Sequence, residues 1–556
     1  MHLAPPIGAR ADRALPFVAG AAALGFYLLS RTPNLALAHD AAGYLAVIVE
    51  GTGADLAHPH HLLYHPVAKL WLVLLRSVGL GGDPALAVAS LNSVAGAVCV
   101  GLVVALLRHR GGASRALAAA GAASAAVSFG LWFYSACVEV YVIPLAFLLG
   151  ALYVALGPLT WRRAVAVGIL HGLAMVFHQV HVLFGVVVLA VWWREGGARS
   201  NLRWAGGYIA AGTVVVALAY GTALAVAVRP ASVEEAWTWF TLYAQDSEGY
   251  VSGLSVGTFA KAMVGFTRSV VGSHFAFAMP VVQGLIERVF PDKILTDETF
   301  LVAGLPGWVP PVLVGLSVVA TLLGLGLVVR AARSPKLPAS GLRTGLWAWV
   351  GVYAAFFLFW DPFNVEFWIP QTTALWMLLA LRLVQTESSA PRRFPSWGVL
   401  AGMAVLLAVI NGVGTIGPAS DPDNDAFAYQ LKPLDGRLRE GDLLVVDRAH
   451  IIEYYAALRF GVETVGLAEA VREGGPKAGA ASVDGAVRQA RGSGRTVALA
   501  RDVFDPKPTT VAVVGPGVIE AAQSLRGRLG AFEGAWAGNE LATYRIVGPS
   551  DRRDRP

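Results

Sequence analysis

Residues 85–107 read ALAVASLNSVAGAVCVGLVVALL, twenty-three positions without one Asp, Glu, Lys or Arg. At about 1.5 Å of rise per residue, a helix of that length crosses a hydrocarbon core of about 30 Å. Comparable apolar stretches lie near 15–30, 116–134, 139–157, 164–177, 180–193, 204–228, 309–329, 344–360, 366–381 and 397–415. The composition of the whole chain agrees. Of 556 residues, 56% are hydrophobic and 14% charged, with a mean hydropathy of +0.58. Soluble domains carry about 25% charged residues, so the expectation is a polytopic α-helical membrane protein whose partner is the lipid bilayer. Two cysteines exclude a disulfide scaffold. Neither Cys99 nor Cys137 has a neighbour at metal-ligand spacing, and both read as small core residues. The net charge of +6 points to no nucleic-acid partner, because the basic residues lie between apolar spans rather than in one patch.

The basic residues set the expected topology. With about eleven transmembrane helices and a cytoplasmic N-terminus, the inner segments are 1–14, 108–115, 158–163, 194–203, 330–343 and 382–396. These hold seventeen Lys and Arg in 67 residues, whereas the long outer segments 31–84 and 229–308 hold eight in 134. Reading 164–177 and 180–193 as one long helix would move Arg194, Arg199 and Arg203 outside, so two spans are preferred. The first span, with Arg10 and Arg13 before it, reads as an uncleaved signal anchor. The localisation expected is a bacterial inner membrane.

Two domains follow from the composition shift at Pro418: a membrane domain over 1–418 with large outer loops 31–84 and 229–308, and an extracytoplasmic domain over 421–556. In the first loop, Leu62–Val78 is expected to lie on the outer leaflet as an interfacial helix, with Lys69 and Arg76 toward headgroups. In the second, Trp237, Trp239, Phe240 and Tyr243 form an interfacial aromatic belt. After Pro418, strands are expected at Leu443–Val446, Glu463–Leu467, Thr496–Ala500 and Val511–Val514. Helices are expected at Ile451–Phe460, Val483–Ala490 and Val518–Leu529. This alternation describes a small α/β domain. It contains no GxGxxG or P-loop spacing, and nucleotide binding gets no support.

With this topology the ionisable groups worth weighing all fall on the outer side: His39-Asp40, Glu50, Asp55, His58-Pro59-His60-His61, His65, Glu139, His178, His181, Asp361 and Glu366. A carboxylate at the edge of the hydrocarbon core is costly unless paired, so such residues usually have a task. Asp40 reads equally as a general base or as the N-cap of the apolar run that follows. His58, His61 and His65 share one helical face, and that set is compatible with a phosphate, a wet headgroup face or a divalent cation. The bland readings of the rest are a lone turn carboxylate for Glu139, an interfacial pair for His178 and His181, and helix capping at Asp361 or Asn364.

An Asp at the head of a large outer loop, followed by a His-Pro segment and an interfacial helix, resembles the glycosyltransferase C superfamily. Within it the chain is most similar to the bacterial family of unassigned domains related to protein O-mannosyltransferases. The stretches that carry the likeness are Asp40–Tyr44 with Ala57-His58-Pro59 and Leu63-Tyr64, then Trp132–Ser135 with Val138–Tyr141, Gly172-Leu173 with Phe177-His178, and Asp442–Leu467. The resemblance implies transfer of a sugar from a polyprenyl-phosphate donor to a protein, lipid or polysaccharide hydroxyl at the outer leaflet. It implies Asp40 as catalytic base and the segment His58–Tyr64 as part of the donor-phosphate site. His58, His60, His61, Tyr64, Glu139, Tyr141, His178 and His181 are then the candidate substrate-binding residues. No cofactor is fixed by the resemblance, and a divalent cation beside the histidines stays open. Two positions depart from the pattern: Gly43-Tyr44 stands where a second acidic residue is usual, and His60-His61 where Pro-Gly is usual. The rival readings are a transporter or flippase of lipid-linked substrates, which calls for midplane charges and inverted repeats, and a non-catalytic scaffold.

Overall fold

A computed structural model of the chain describes residues 7–38, 40–196, 198–241, 251–289, 296–333, 340–388, 395–530 and 532–549. His39, Tyr243, Arg392 and Arg393 lie outside the described residues. The chain divides into two compact units, Met1–Pro33 with Val47–Ala276 and Leu305–Ser420, and Asn34–Ala46 with Phe277–Gly304 and Asp421–Pro556.

The first unit is helical. All eleven apolar stretches form helix, but six are long and apolar enough to cross a membrane: Ala11–Leu29, Pro84–Arg110, Trp204–Val228, Val309–Arg333, Glu366–Val384 and Ser396–Ala419. A seventh, expected as one span over 116–134, is a pair, Arg115–Ala126 and Phe129–Ala136, bent by 67°. The remaining four are shorter, Val142–Ala155, Trp161–Phe177, Phe184–Gly196 and Gly341–Phe357, with 14, 17, 13 and 17 residues. A helix of such length rises roughly 20–26 Å, less than a full hydrocarbon core. Apolar length in the sequence therefore overstates the number of full-length spans.

Val309–Arg333 carries a mean hydropathy of 2.6 with 17% of its most apolar window buried. An apolar helix that turns its side chains outward is one built for lipid, where the bilayer itself is the solvent. Close backbone contact holds the bundle together. A Cβ on Gly101 would come within 2.9 Å of the Pro16 carbonyl oxygen, and one on Gly168 would strike the Tyr208 carbonyl, so small residues let the helices approach. At one end of this unit Asp12 bridges Arg108 at 2.9 Å and Arg115 at 2.6 Å, and Arg110 lies over the Tyr153 ring. The N-terminal helix and the 108–115 segment, both expected on the inner side, thus share one end.

Trp161–Phe177 and Phe184–Gly196 are two helices joined by a reversal. In one straight helix residues 171 and 181 would lie about 15 Å apart, yet the His171 Nε2 is 2.8 Å from the His181 carbonyl oxygen. The helix expected at Leu62–Val78 is present as Tyr64–Ser77, with Leu70, Val73 and Leu74 exposed. Lys69 differs from the expectation. Its ammonium donates to the carbonyls of Val49 at 3.3 Å and Gly51 at 2.8 Å, closing the end of the preceding helix, Ala41–Glu50. Orphan carbonyls at a helix end are strong local acceptors for a cation.

The second unit contains a five-stranded sheet in the order β2-β1-β3-β5-β4. Its strands are β1 Leu443–Val446, β2 Glu463–Gly466, β3 Val497–Ala500, β4 Ala535–Gly538 and β5 Thr543–Val547. β1 pairs in parallel with β2 and β3, and β5 runs antiparallel to β3 and β4. β1 and β3 are buried along their whole length, as strands covered on both faces are. The expected strand at Val511–Val514 is instead part of a helix, Pro508–Val514. Pro508 presets helical φ at the first turn, and Gly515 ends the run, which outweighs the β preference of three valines.

Candidate functional site

Two elements of the first unit build a histidine-rich centre. The turn after Ala57 is a short 3-10 helix, Pro59–His61, and it is tied down from three sides. The Pro59 carbonyl accepts from Tyr220 Oη at 2.6 Å and Gln179 Nε2 at 3.1 Å, and the Ala57 carbonyl accepts from Trp239 Nε1 at 3.0 Å. Trp239 therefore holds the loop rather than serving only as interface aromatic. Gln179 and Tyr220 were not foreseen in the sequence, since polar side chains that anchor a carbonyl carry no local signature.

These anchors pack the imidazoles together. His58 stacks on His61 with centroids 5.5 Å apart, and His65 and His60 meet the His58 ring edge-on at 6.2 and 6.1 Å. His61 meets His178 at 4.7 Å, and His178 meets Tyr141 at 5.4 Å and His181 at 5.6 Å. His61, His65, His178 and His181 are buried; His58 and His60 are half-buried. Burial pushes the imidazoles down, to about 4 for His60 and His65 and about 3 for His178, with neighbouring imidazoles adding to the effect. The cluster is neutral at pH 7, so it offers ring N–H donors and lone pairs rather than positive charge.

The second element is the turn Cys137–Tyr141. Asn92, fully buried in the helix Pro84–Ala105, donates its amide to the Cys137 carbonyl at 2.8 Å and also to the Glu139 carbonyl. Thr32 N–H donates to the Ala136 carbonyl at 2.8 Å. Glu139 is thereby fixed at 3% exposure, its Oε2 accepting from the Val140 N–H at 3.1 Å. Tyr64 is fully buried, and the Tyr134 phenol donates to Glu366 Oε2 at 2.7 Å. Tyr141, His181, Tyr353, Phe357, Glu366 and Phe367 line a cavity of about 10 Å³, the room of one water molecule. Any larger guest requires these side chains to part. Asp361 adopts a φ of +41° and accepts from Asn364 Nδ2 at 2.6 Å, so these two residues hold each other beside Glu366.

Among the described residues, no group of three or more His, Cys, Asp and Glu is placed to hold a metal ion. Only His58 and His61 stack, while the other imidazole pairs meet edge to face, and a divalent cation gains no geometric support. His171 is a satisfied core histidine: Nδ1 lies 2.6 Å from Tyr208 Oη, and Nε2 meets the His181 carbonyl. Both cysteines are buried thiols.

Asp40 belongs to the second unit. It is exposed at the turn that opens Ala41–Glu50, with its carbonyl accepting from the Tyr44 N–H at 2.9 Å and its Oδ2 accepting from the Tyr44 phenol at 3.4 Å. Tyr44 therefore occupies the neighbourhood where a second acidic side chain is usual. A Cβ on Gly43 would sit 3.3 Å from the Tyr454 ring, so that ring leaves little space for a larger residue there. Asp55 accepts from the Thr52 N–H at 3.0 Å, a local turn contact.

Over 98% of this chain and 99% of the other, the structure matches the crystal structure of ArnT from Cupriavidus metallidurans bound to undecaprenyl phosphate, with a TM-score of 0.55 and 12% identity. The fold is similar to that of ArnT. Its apo crystal structure matches with a TM-score of 0.44 and 15% identity, over 96% of this chain and 98% of that one. The ArnT-like fold bears out the expected polytopic α-helical membrane architecture with a small C-terminal α/β region. No protein-family model matches the chain, and no curated protein does.

Proposed function

We propose that the chain is a membrane glycosyltransferase that takes its sugar from a polyprenyl-phosphate donor and passes it to a hydroxyl of a protein, lipid or polysaccharide. The observation that carries this reading is the ArnT-like fold along nearly the whole chain, since that relative was crystallised with undecaprenyl phosphate. The first unit supplies fitting chemistry. A lipid phosphate needs hydrogen-bond donors at its oxygens, and His58, His60, His61 and His178 offer neutral imidazole N–H groups. Tyr64, Glu139, Tyr141 and His181 provide hydroxyl, carboxylate and ring surface for the sugar.

In the proposed reaction the Asp40 carboxylate takes the proton of the acceptor hydroxyl. The hydroxyl oxygen bonds to the anomeric carbon, and the bond from that carbon to the phosphate oxygen breaks. The electron pair leaves with the polyprenyl phosphate. A phosphate is a good leaving group, so one base and a set of donors suffice. We place the N-terminus in the cytoplasm, the 421–556 domain outside, and the chain in a bacterial inner membrane. Kinship with the protein O-mannosyltransferase-related family remains part of this proposal.

The test is transfer in proteoliposomes of the purified chain, given radiolabelled undecaprenyl-phosphate sugars and membrane extract. Label should move to an acceptor with the native chain and not with Asp40→Asn. Movement of the labelled lipid between leaflets with no transfer would favour the flippase reading. An alkaline phosphatase fused after residue 549 should be active outside the cytoplasm.

A further inference from the structure

The second unit holds a cavity lined by none of the residues assigned to the transfer reaction. The chain leaves β1 for β2 on one side through the helix His450–Phe460, then returns across β1 through Leu467–Gly492 to reach β3 on the other. Parallel neighbours whose connections depart in opposite directions leave a crevice beyond their carboxyl ends, where open α/β sheets bind ligands. Here that crevice is a cavity of about 480 Å³ lined by Val446 and Ala500, the last residues of β1 and β3. Small-molecule pockets run from about 300 to 1,000 Å³.

The lining mixes both hydrogen-bonding senses with aromatic surface. Asp297, Asp447 and Asp502 bring acceptors, Arg448, Lys507 and the Thr509 hydroxyl bring donors, and Phe427 and Tyr544 bring ring faces. Asp447 is held in place, with Oδ2 accepting from Thr510 Oγ1 at 2.7 Å and Oδ1 from the Arg448 N–H at 2.9 Å. His450 carries a φ of +24° on this lining, and such strain in a non-glycine residue collects at ligand sites. Burial, with Glu298 and Asp425 nearby, pushes the Asp297 carboxyl up to about 7, so near neutral pH it both donates and accepts.

An anion fits this lining poorly. It would face the carboxylates of Asp447 and Asp502 and a half-protonated Asp297, and of the two cations on the lining Lys507 is already paired with Asp502 at 2.8 Å. A sugar ring fits: each hydroxyl donates once and accepts once or twice, and the apolar C–H face of the ring stacks on an aromatic side chain. We propose that this cavity is a second, non-catalytic site that binds a neutral sugar ring, with Asp297, Asp447, Asp502 and Lys507 reading its hydroxyls and Phe427 or Tyr544 its apolar face. The site is separate from the transfer reaction, and its occupancy is read without turnover.

The experiment is calorimetric titration of the full-length chain in nanodiscs with the methyl glycosides of glucose, galactose, mannose and arabinose, and with inorganic phosphate. At least one glycoside should bind with a Kd of about a millimolar, and Ala542→Trp, which fills the cavity, should weaken it tenfold or more. Asp502→Asn should weaken it comparably, while Asp40→Asn should leave it unchanged even if transfer is lost. Should Ala542→Trp lower the Tm, Asp502→Asn with Thr509→Leu decides instead. Binding of phosphate but no glycoside overturns the proposal. So does binding of none of the probes, or glycoside binding that survives these substitutions.

Discussion

The Tyr134 phenol donates a 2.7 Å hydrogen bond to Glu366 Oε2 across 232 residues of sequence. It joins the helix Phe129–Ala136 to the start of Glu366–Val384, and it links the two carboxylate-bearing turns of the first unit, since Glu139 lies three residues past that helix. Removing the phenol oxygen deletes one hydrogen bond to a half-buried carboxylate, at about 1–3 kcal/mol. Tyr134→Phe is expected to lower the Tm by several degrees and transfer by about tenfold, whereas Tyr153→Phe, at the opposite predicted side of the membrane, should leave transfer intact. An unchanged Tm and rate in Tyr134→Phe would show that the bond holds nothing together.

Asp40 and Tyr44 form a local pair at the head of a helix. Replacing a general base typically costs a factor of about 10² to 10⁴, so Asp40→Asn should reduce kcat at least a hundredfold. Because Asn serves well as an N-cap, the Tm should stay within about a degree. Tyr44→Phe removes one hydrogen bond at 3.4 Å and should cost no more than a few-fold. If Asp40→Asn retains near-native turnover, Asp40 is a cap and nothing more.

Asn92, fully buried, holds the Cys137–Tyr141 turn by two amide hydrogen bonds. Asn92→Ala strands two buried carbonyls, worth about 2 kcal/mol or more together. Thermal unfolding in detergent should move to lower temperature, and KM for the donor should rise as Glu139 and Tyr141 lose their placement. A variant with native Tm and KM would mean that the turn holds its shape unaided.

The histidine cluster predicts an acid-sensitive fold. His60 and His65 titrate at about 4 and His178 at about 3 in the folded chain, below the ordinary value near 6.5. Between those values the unfolded chain binds protons that the folded chain does not, so stability falls as pH falls. The contribution is fully present above about pH 6.5 and is lost progressively toward pH 4 and then 3. Tm measured from pH 7.5 to 4 should decline, and His65→Asn should flatten the decline. A native-like slope in that variant would assign the acid sensitivity elsewhere.

Much of this was legible from local sequence because it rests on periodicity and on apolar length. The eleven apolar stretches are all helical, and β1, β2, β3 and the helix His450–Phe460 fall close to where alternation put them. The helix expected at Val483–Ala490 is only the end of Leu467–Gly492, and β4 and β5 had no expected counterpart. The likeness carried by Asp40–Tyr44, Val138–Tyr141 and Phe177-His178 led to a fold that ArnT shares. Where the reading by periodicity failed, it underweighted a local signal at Val511–Val514, which is helical behind Pro508, and it missed the break of 116–134 into two helices at 67°. Gln179, Tyr220 and Asn92 left no trace in the sequence, because a side chain that satisfies a distant carbonyl looks like any other polar residue.

The sequence alone determined that much of the chain is apolar enough for a bilayer and that most of the candidate histidines and carboxylates lie between the apolar stretches. Both follow from the cost of placing charge in hydrocarbon, which acts residue by residue. Only the tertiary structure decided that residues 58–65, 139–141 and 178–181 form one centre, and that its imidazoles are neutral. Those properties depend on burial and on rings less than 6.5 Å apart, which arise when helices distant in sequence pack together.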